Sequence, residues 1–554
     1  MSGVSTTGIE EPDREARALA DRFWDRLLEL DPLFGTTVGD ERFDDRLPDP
    51  SEEGLAEQAR MYRESLRELG TIDRHALSQI ERTTLDILET CADRELAAID
   101  ARVDRLRAAS HFWGPGQLIG QLGSLQRADS PERLSKYLAR LRAVPAYFEA
   151  LEPILDDAAA TGQTCPGVMV DRSIAQVERL LAAPIEASPA LAPVGTDQDA
   201  ADAVKEVLRD AVMPAHERYL EALHRYRPAA TETIGLLALP GGDRIYAAQI
   251  LTWTTLPLDA HVVHELGLTE LAKIQDERSA VAKRLGYDDP AAAIAAAPDN
   301  HAGSREQMLA IAREQVARSW EAAPSMFGRL PSANCEVRPV EEFREADMPF
   351  AFYNPSTGDG SRPGVYYVNT LKPEERRLHQ LATTTYHEAN PGHHFQISIE
   401  HEIPDRPVLR QLGGFLSGAA FTEGWGLYAE RLADEMDLYR SDYERLGMLD
   451  SLAFRANRLI VDTGIHALGW DRDRAIAQMT TGGLPLLDAE IEVDRYIALP
   501  GQALAYMIGM LEIRSWRERA QRDADTFDLR AFHDRLLALG SLPLPSLRRE
   551  MAAG

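Results

Sequence analysis

The run Tyr386-His387-Glu388-Ala389-Asn390-Pro391-Gly392-His393-His394 sets three imidazoles and a carboxylate close together. A His-Glu pair followed by further histidines is first of all a metal-site arrangement. The zinc-protease helix H-E-x-x-H puts two imidazoles on one face at i and i+4, with the Glu beside them as general base. Here the fourth position after His387 is Pro391, and the next histidines are His393 and His394. On an unbroken helix i+6 lies about 240° round and i+7 about 10.5 Å further along, so neither shares an ion with His387. Pro391, however, cannot donate to the carbonyl of His387 and its ring clashes there, while Gly392 permits unusual backbone angles. Asn-Pro-Gly therefore reads as a bulge. With two residues looped out, His393 drops into the i+4 place, and His394 is the reserve ligand.

An ion needs a third protein ligand. Phe421-Thr422-Glu423-Gly424-Trp425-Gly426-Leu427-Tyr428-Ala429-Glu430 follows about one helical hairpin later. That distance allows a turn and a second helix returning antiparallel, and because zinc proteases of the gluzincin type place their third-ligand Glu on just such a helix, Glu423 is the third candidate. Glu430, two turns on along the same face, is its reserve. Two glycines in a helix cost about 1 kcal/mol each relative to alanine, so Gly-Trp-Gly points to close packing there. The plainer reading is a solvated His-Glu pair, with Pro-Gly as a helix stop and His393 and His394 as a C-cap pair. It leaves the second acid without a purpose.

The elements that must position these residues are almost all helical. Helix-period apolar spacing covers about 13–30 and, with a break at Gly70, about 52–107, and returns through most of the chain. A proline-rich stretch, 183–199, is the candidate linker between helical regions 13–199 and 200–554, after a disordered start at 1–12. Asp259 can cap the helix that follows it, whose His261 and His264 read as surface or packing residues. Short β-branched and aromatic runs at 335–340, 351–353 and 364–370 make the one convincing sheet, just upstream of the His-Glu motif.

HExxPGHH followed by EGWGLYAE resembles the bacterial domain-of-unknown-function-885 family, whose members are similar to the all-helical gluzincin-type zinc peptidases, the oligopeptidases and carboxypeptidases. The resemblance runs from Asp31-Pro32-Leu33-Phe34 and Gly39-Asp40 to Pro500-Gly501-Gln502-Ala503-Leu504-Ala505-Tyr506. It implies a mainly α fold: a large helical shell around a deep channel, with one small β-sheet next to the active-site helix. One Zn2+ per chain is expected on His387, His393 and Glu423, activating a water whose proton Glu388 removes. By the same resemblance His466 and Tyr506 face the oxyanion, and Arg458 or Arg514 takes a substrate carboxylate. The strand at 364–370, with Tyr366, Tyr367 and Asn369, would bind extended substrate by its edge, with Gln502 as a further contact. A structural hairpin under the helix is the alternative for that strand. Short peptides or small amides are the expected substrates. Two rivals stand beside this: the same metal site turned to non-peptide chemistry on an amino-acid-derived metabolite, and a non-catalytic binding protein. Glu388 speaks against the second, since a structural metal needs no base.

Composition narrows the partners. A net charge of −29 over 554 residues argues against nucleic-acid and anionic-membrane surfaces. No basic start with an apolar core follows Met1, and no apolar run of membrane-spanning length is present. Cys91, Cys165 and Cys335 are odd in number and far apart, as expected of reduced thiols in a cytoplasmic protein.

Overall fold

A computed structural model describes residues 10–554 except 113, 299, 343, 344, 346, 347, 357–361, 482, 524, 525 and 554. The expected disordered start lies mostly outside the described residues; the first helix begins at Glu11. The fold is mainly α with one small sheet, as the sequence implied. The helices that carry the site are α1 (Ala260–Arg284), α2 (Leu378–Glu388), α3 (His393–His401), α4 (Ala420–Glu435), α5 (Asp442–Leu468), α6 (Leu486–Ala498) and α7 (Ala505–Asp523).

Local chemistry sets their ends. Asp259 accepts from the N–H groups of His261 and Val262 and starts α1. Ser441 accepts from the Glu444 N–H and starts α5, while Gly469 at φ 68° closes it in the left-handed conformation. Helices α1 and α5 pack tightly enough that a β-carbon on Gly267 would lie 2.8 Å from Leu459. His264 bridges the same pair through Thr463 at 2.8 Å, a packing role, while His261 is exposed.

The sheet has the order β1-β3-β2, with β1 (Cys335–Pro339) parallel to β3 (Gly364–Val368) and β2 (Ala351–Asn354) antiparallel to it. This corrects the expectation for the third strand. β3 is central, its ladder groups are used on both sides, and it offers no free edge to a substrate. It lies against α2 instead, where the Tyr366 hydroxyl meets Thr385 Oγ1 at 3.2 Å.

Two large apolar cores divide the molecule. One gathers residues of 16–103 with residues of 236–327 and 382–547; the other gathers 108–230 with 460–503. Helix α5 belongs to both, through Leu446 to Leu459 in the first and Ile460, Val461 and Ile465 in the second. The proline-rich stretch at 183–199 is no free linker. It folds into 3-10 turns, Ala190 is fully buried, and the Ala190 carbonyl accepts from the Tyr137 hydroxyl at 2.8 Å. Among the described residues no single helix is long and apolar enough to cross a membrane.

Candidate metal centre

Helix α2 stops at Glu388 and α3 starts at His393, so the His-Glu motif is broken where the proline and glycine stand. Gly392 is needed for the turn: a β-carbon there would lie 1.9 Å from the His387 carbonyl oxygen. The Trp425 indole, wholly buried on α4, donates to the Pro391 carbonyl at 2.9 Å and holds the loop in place. The bulge swings His393 back toward His387, with ring centroids 4.6 Å apart and planes at 82°.

Glu423 completes the cluster. Its Oε2 lies 3.6 Å from His387 Nε2 and 3.6 Å from His393 Nε2. Donors about 2.0–2.1 Å from a tetrahedral zinc stand roughly 3.3–3.4 Å apart, and both contacts of Glu423 come close to that spacing. Glu388 joins them, since ligand atoms of His387, Glu388 and His393 all fall within 4.8 Å of one another. Two carboxylates thus compete for the third-ligand role, and their environments separate them. Burial opposes charge on Glu423, but hydrogen bonds to both imidazoles win and hold it well below the usual carboxylate range. Burial raises Glu388, with His393 and His387 only partly offsetting it. The ionised group suits a ligand and the more basic one a proton acceptor.

The other nitrogen of His387 is also spoken for. Nδ1 lies 2.8 Å from Glu430 Oε1, and Glu430, 1% exposed, accepts from the Thr383 hydroxyl at 2.6 Å. Glu430, the reserve ligand of the sequence reading, is therefore the carboxylate that orients the His387 ring. Burial opposes protonation of His387, yet Glu423 and Glu430 together push it up to about 9. The pocket is built to face positive charge. Donor types, spacing and charge all fit a divalent zinc-like ion held by His387, His393 and Glu423.

His394 does not join them. Its Nδ1 meets the Tyr353 hydroxyl at 2.9 Å and its Nε2 the Ala333 carbonyl at 3.1 Å, so both nitrogens are committed to the sheet side. The two glycines of α4 find their reasons here. A β-carbon on Gly426 would lie 2.7 Å from His387 Cε1, and one on Gly424 would lie 2.5 Å from the α-carbon of Gly509 on α7.

The expected substrate residues fare unevenly. His466 is not an oxyanion donor: its Nε2 faces the Tyr496 carbonyl at 3.0 Å and its Nδ1 the Leu236 N–H at 3.4 Å. Asp462 does not orient that histidine but accepts from the Tyr246 hydroxyl at 2.5 Å and the Gly501 N–H at 3.0 Å. Arg458 is already paired with Glu492 at 3.0 Å and sits 4.6 Å over the Tyr506 ring. Arg514 is paired with Glu518 at 3.4 Å and with Glu270 at 3.6 Å. Gln502 accepts from Arg495 at 2.5 Å. Asn369 braces a loop by donating to the Glu345 and Met348 carbonyls at 2.7 and 2.9 Å. Tyr366 is buried against α2, and Tyr367 stacks on Phe352 at 4.9 Å. Tyr506 is half-buried, with its ring under Arg455 and Arg458. Cavities of about 240 and 490 Å3 open elsewhere, the first around Ile119, Leu180 and Met213 and the second around Leu237 and Trp470.

Residues 32–551 match the family described as "Bacterial protein of unknown function (DUF885)". The chain belongs to that family. Its fold recurs in solved structures. One, described as "the putative lipoprotein from Colwellia psychrerythraea", aligns with a TM-score of 0.88 at 24% identity over 98% of this chain and 99% of that one. Another, "a putative lipoprotein of unknown function from Shewanella oneidensis", gives 0.76 at 20% identity over 96% and 99%. No curated protein matches. The lipoprotein descriptions of both relatives overturn the expected cytoplasmic location. The thiols never tested it: Cys91 and Cys165 are buried, and none of the three cysteines is paired, so a sealed thiol stays free in either redox compartment.

Proposed function

We propose that this DUF885 protein is a zinc-dependent hydrolase of short peptides or small amides. The observation that carries the reading is the shared 3.6 Å approach of Glu423 Oε2 to the Nε2 atoms of His387 and His393. The order His-Glu, His, then Glu on the next helix also parallels the gluzincin-type peptidases. When bound, zinc supplies a Lewis acid that polarises a carbonyl and brings the pKa of water toward ~7. His387, His393 and Glu423 hold it, and Glu430 with Thr383 fixes the His387 tautomer and ring plane. Glu388 accepts a proton from water as its oxygen bonds to the amide carbon, then delivers that proton to the leaving nitrogen as the C–N bond breaks. To the Tyr506 hydroxyl we assign donation to the carbonyl oxygen as charge gathers there.

The test is metal content and turnover on a peptide pool for wild type, Glu388→Gln and His393→Ala. Wild type and Glu388→Gln are expected to carry about one zinc per chain, with His393→Ala carrying none. Turnover should fall by about 10²–10⁴-fold in Glu388→Gln, the usual weight of a general base. A metal-replete, active Glu388→Gln protein removes the base assignment. A wild type that takes up no metal on reconstitution sinks the hydrolase.

A further inference from the structure

The inner arginines of this acidic chain mostly face carboxylates. Arg278 pairs with Asp450 at 2.6 Å, Arg140 with Asp44 at 3.4 Å, and Arg458 with Glu492 at 3.0 Å. Arg455, one turn of α5 before Arg458, is different. Its Nη1 donates to Ser451 Oγ at 2.6 Å and its buried Nε meets no acceptor. Among the described residues no carboxylate comes within 4.0 Å of its guanidinium. The rings of Phe454 and Tyr506 flank it at 5.2 and 5.8 Å.

Its place in the fold makes that isolation informative. Helices α2 and α5 touch where a β-carbon on Gly447 would lie 1.9 Å from the His379 carbonyl, and His379 Nε2 lies 3.6 Å from Asp450. Eight residues further along each helix, about 12 Å at 1.5 Å per residue, come His387 and Arg455. The charge of Arg455 acts on both Glu388 and Glu430, which places it beside the cluster. A half-buried guanidinium with unmet N–H groups between aromatic walls has a fork that matches a carboxylate, in surroundings where charge pairing is strong.

Building on the hydrolase reading, we propose that Arg455 anchors the free C-terminal carboxylate of a short peptide. The peptide lies across Phe454 and Tyr506 toward Glu388, and cleavage falls close to its C-terminus. The step is ordinary amide hydrolysis: water adds across the C–N bond, leaving a new carboxylate and a free amine on the C-terminal fragment that Arg455 holds. Arg458 and Arg514 do not compete for the role, because each already has its carboxylate.

The experiment compares a pool of N-acetylated tripeptides bearing free C-terminal carboxylates with the same pool as carboxamides. Zinc-loaded wild type should favour the acids by at least about 10-fold in kcat/KM, carried mainly by KM, the size expected for a lost charged hydrogen bond. Arg455→Gln should bring the ratio below about 3. Equal cleavage of both pools by wild type overturns the anchor and leaves the hydrolase standing. An Arg455→Gln protein that loses rate equally on both pools also overturns it, and shows that Arg455 only tunes Glu388 and Glu430. If neither pool is cleaved, calorimetric binding to the wild type decides. Acids bound at least about 10-fold tighter than amides uphold the anchor while the hydrolase reading fails, and equal or absent binding removes both. The wild-type comparison stands whether or not the variant folds.

Discussion

Glu430 is the residue where geometry and chemistry can be pulled apart. It touches His387 Nδ1, not the side of the ring that faces Glu423. Glu430→Gln should therefore keep the ligand set and weaken zinc by about 10–100-fold, the usual cost of losing such an orienting carboxylate. Competition against a chromogenic chelator reads this directly, and unchanged affinity would reduce Glu430 to a packing acid. His394→Gln should leave zinc affinity within about 3-fold of wild type, since both nitrogens of His394 serve Tyr353 and Ala333 rather than an ion. At this scale the sequence showed the donors well, because imidazoles and carboxylates at odd spacing have few other uses. It could not separate His466 or Arg458 from catalytic groups. Their neutralising partners, the Tyr496 and Leu236 backbone and Glu492, lie on other elements. Thr383 escaped notice for the same reason, since its partner Glu430 lies on α4.

Helix α4 illustrates why some elements were legible and others were not. Its glycines looked expensive in the sequence, and the structure supplies the cause at each: Gly426 makes room for the His387 ring and Gly424 for α7. Gly426→Ala should raise intrinsic helix stability by up to about 1 kcal/mol while pushing the ligand aside. The expected result is a melting temperature near or above that of the wild-type apoprotein, with zinc affinity at least about 10-fold weaker. Loss of folding and metal together would show that packing, not ligand placement, governs the position. Strand β3 was legible as a strand but not as the middle one. Sequence alternation reports which residues form a ladder, whereas order within the sheet depends on β1 and β2, whose runs are equally short.

Across the whole molecule, buried ionisable groups set the pH range of stability. Burial lowers His216, His466 and His533 to about 4, with backbone hydrogen bonds only partly opposing it. The folded state therefore binds fewer protons than the unfolded one between about 4 and 6.5. Their contribution is fully present above about 6.5 and is lost as pH falls through about 4. Asp462 runs the other way. Burial raises it to about 7 despite bonds from Tyr246 and Gly501, so its contribution is present below about 3.8 and lost as pH rises through about 7. Melting temperatures from pH 4.5 to 8.5 should show an acid-side fall that flattens in His466→Gln and an alkaline-side fall that flattens in Asp462→Asn. A pH-independent curve would mean that these groups are solvated. None of this was readable from the chain, where all four residues sit in ordinary helical or loop surroundings.

The interleaving of the two cores also imposes an order on biosynthesis. Apart from residues of 236–327, the partners of the helices at 16–103 come from 382–547. At roughly 5–20 residues per second, a ribosome needs on the order of 15–60 seconds to pass from residue 103 to residue 382. Through that interval the apolar faces around Phe23 and Trp24 wait without their full covering. The middle core, built from 108–230, begins to assemble meanwhile but closes only against residues of 460–503. His387, His393 and Glu423 emerge late, and α7, whose Gly509 packs against Gly424, only after them. The His387, His393 and Glu423 cluster therefore cannot assemble until residue 423 has been made, and the helix that carries Glu423 lacks its neighbour until α7 follows.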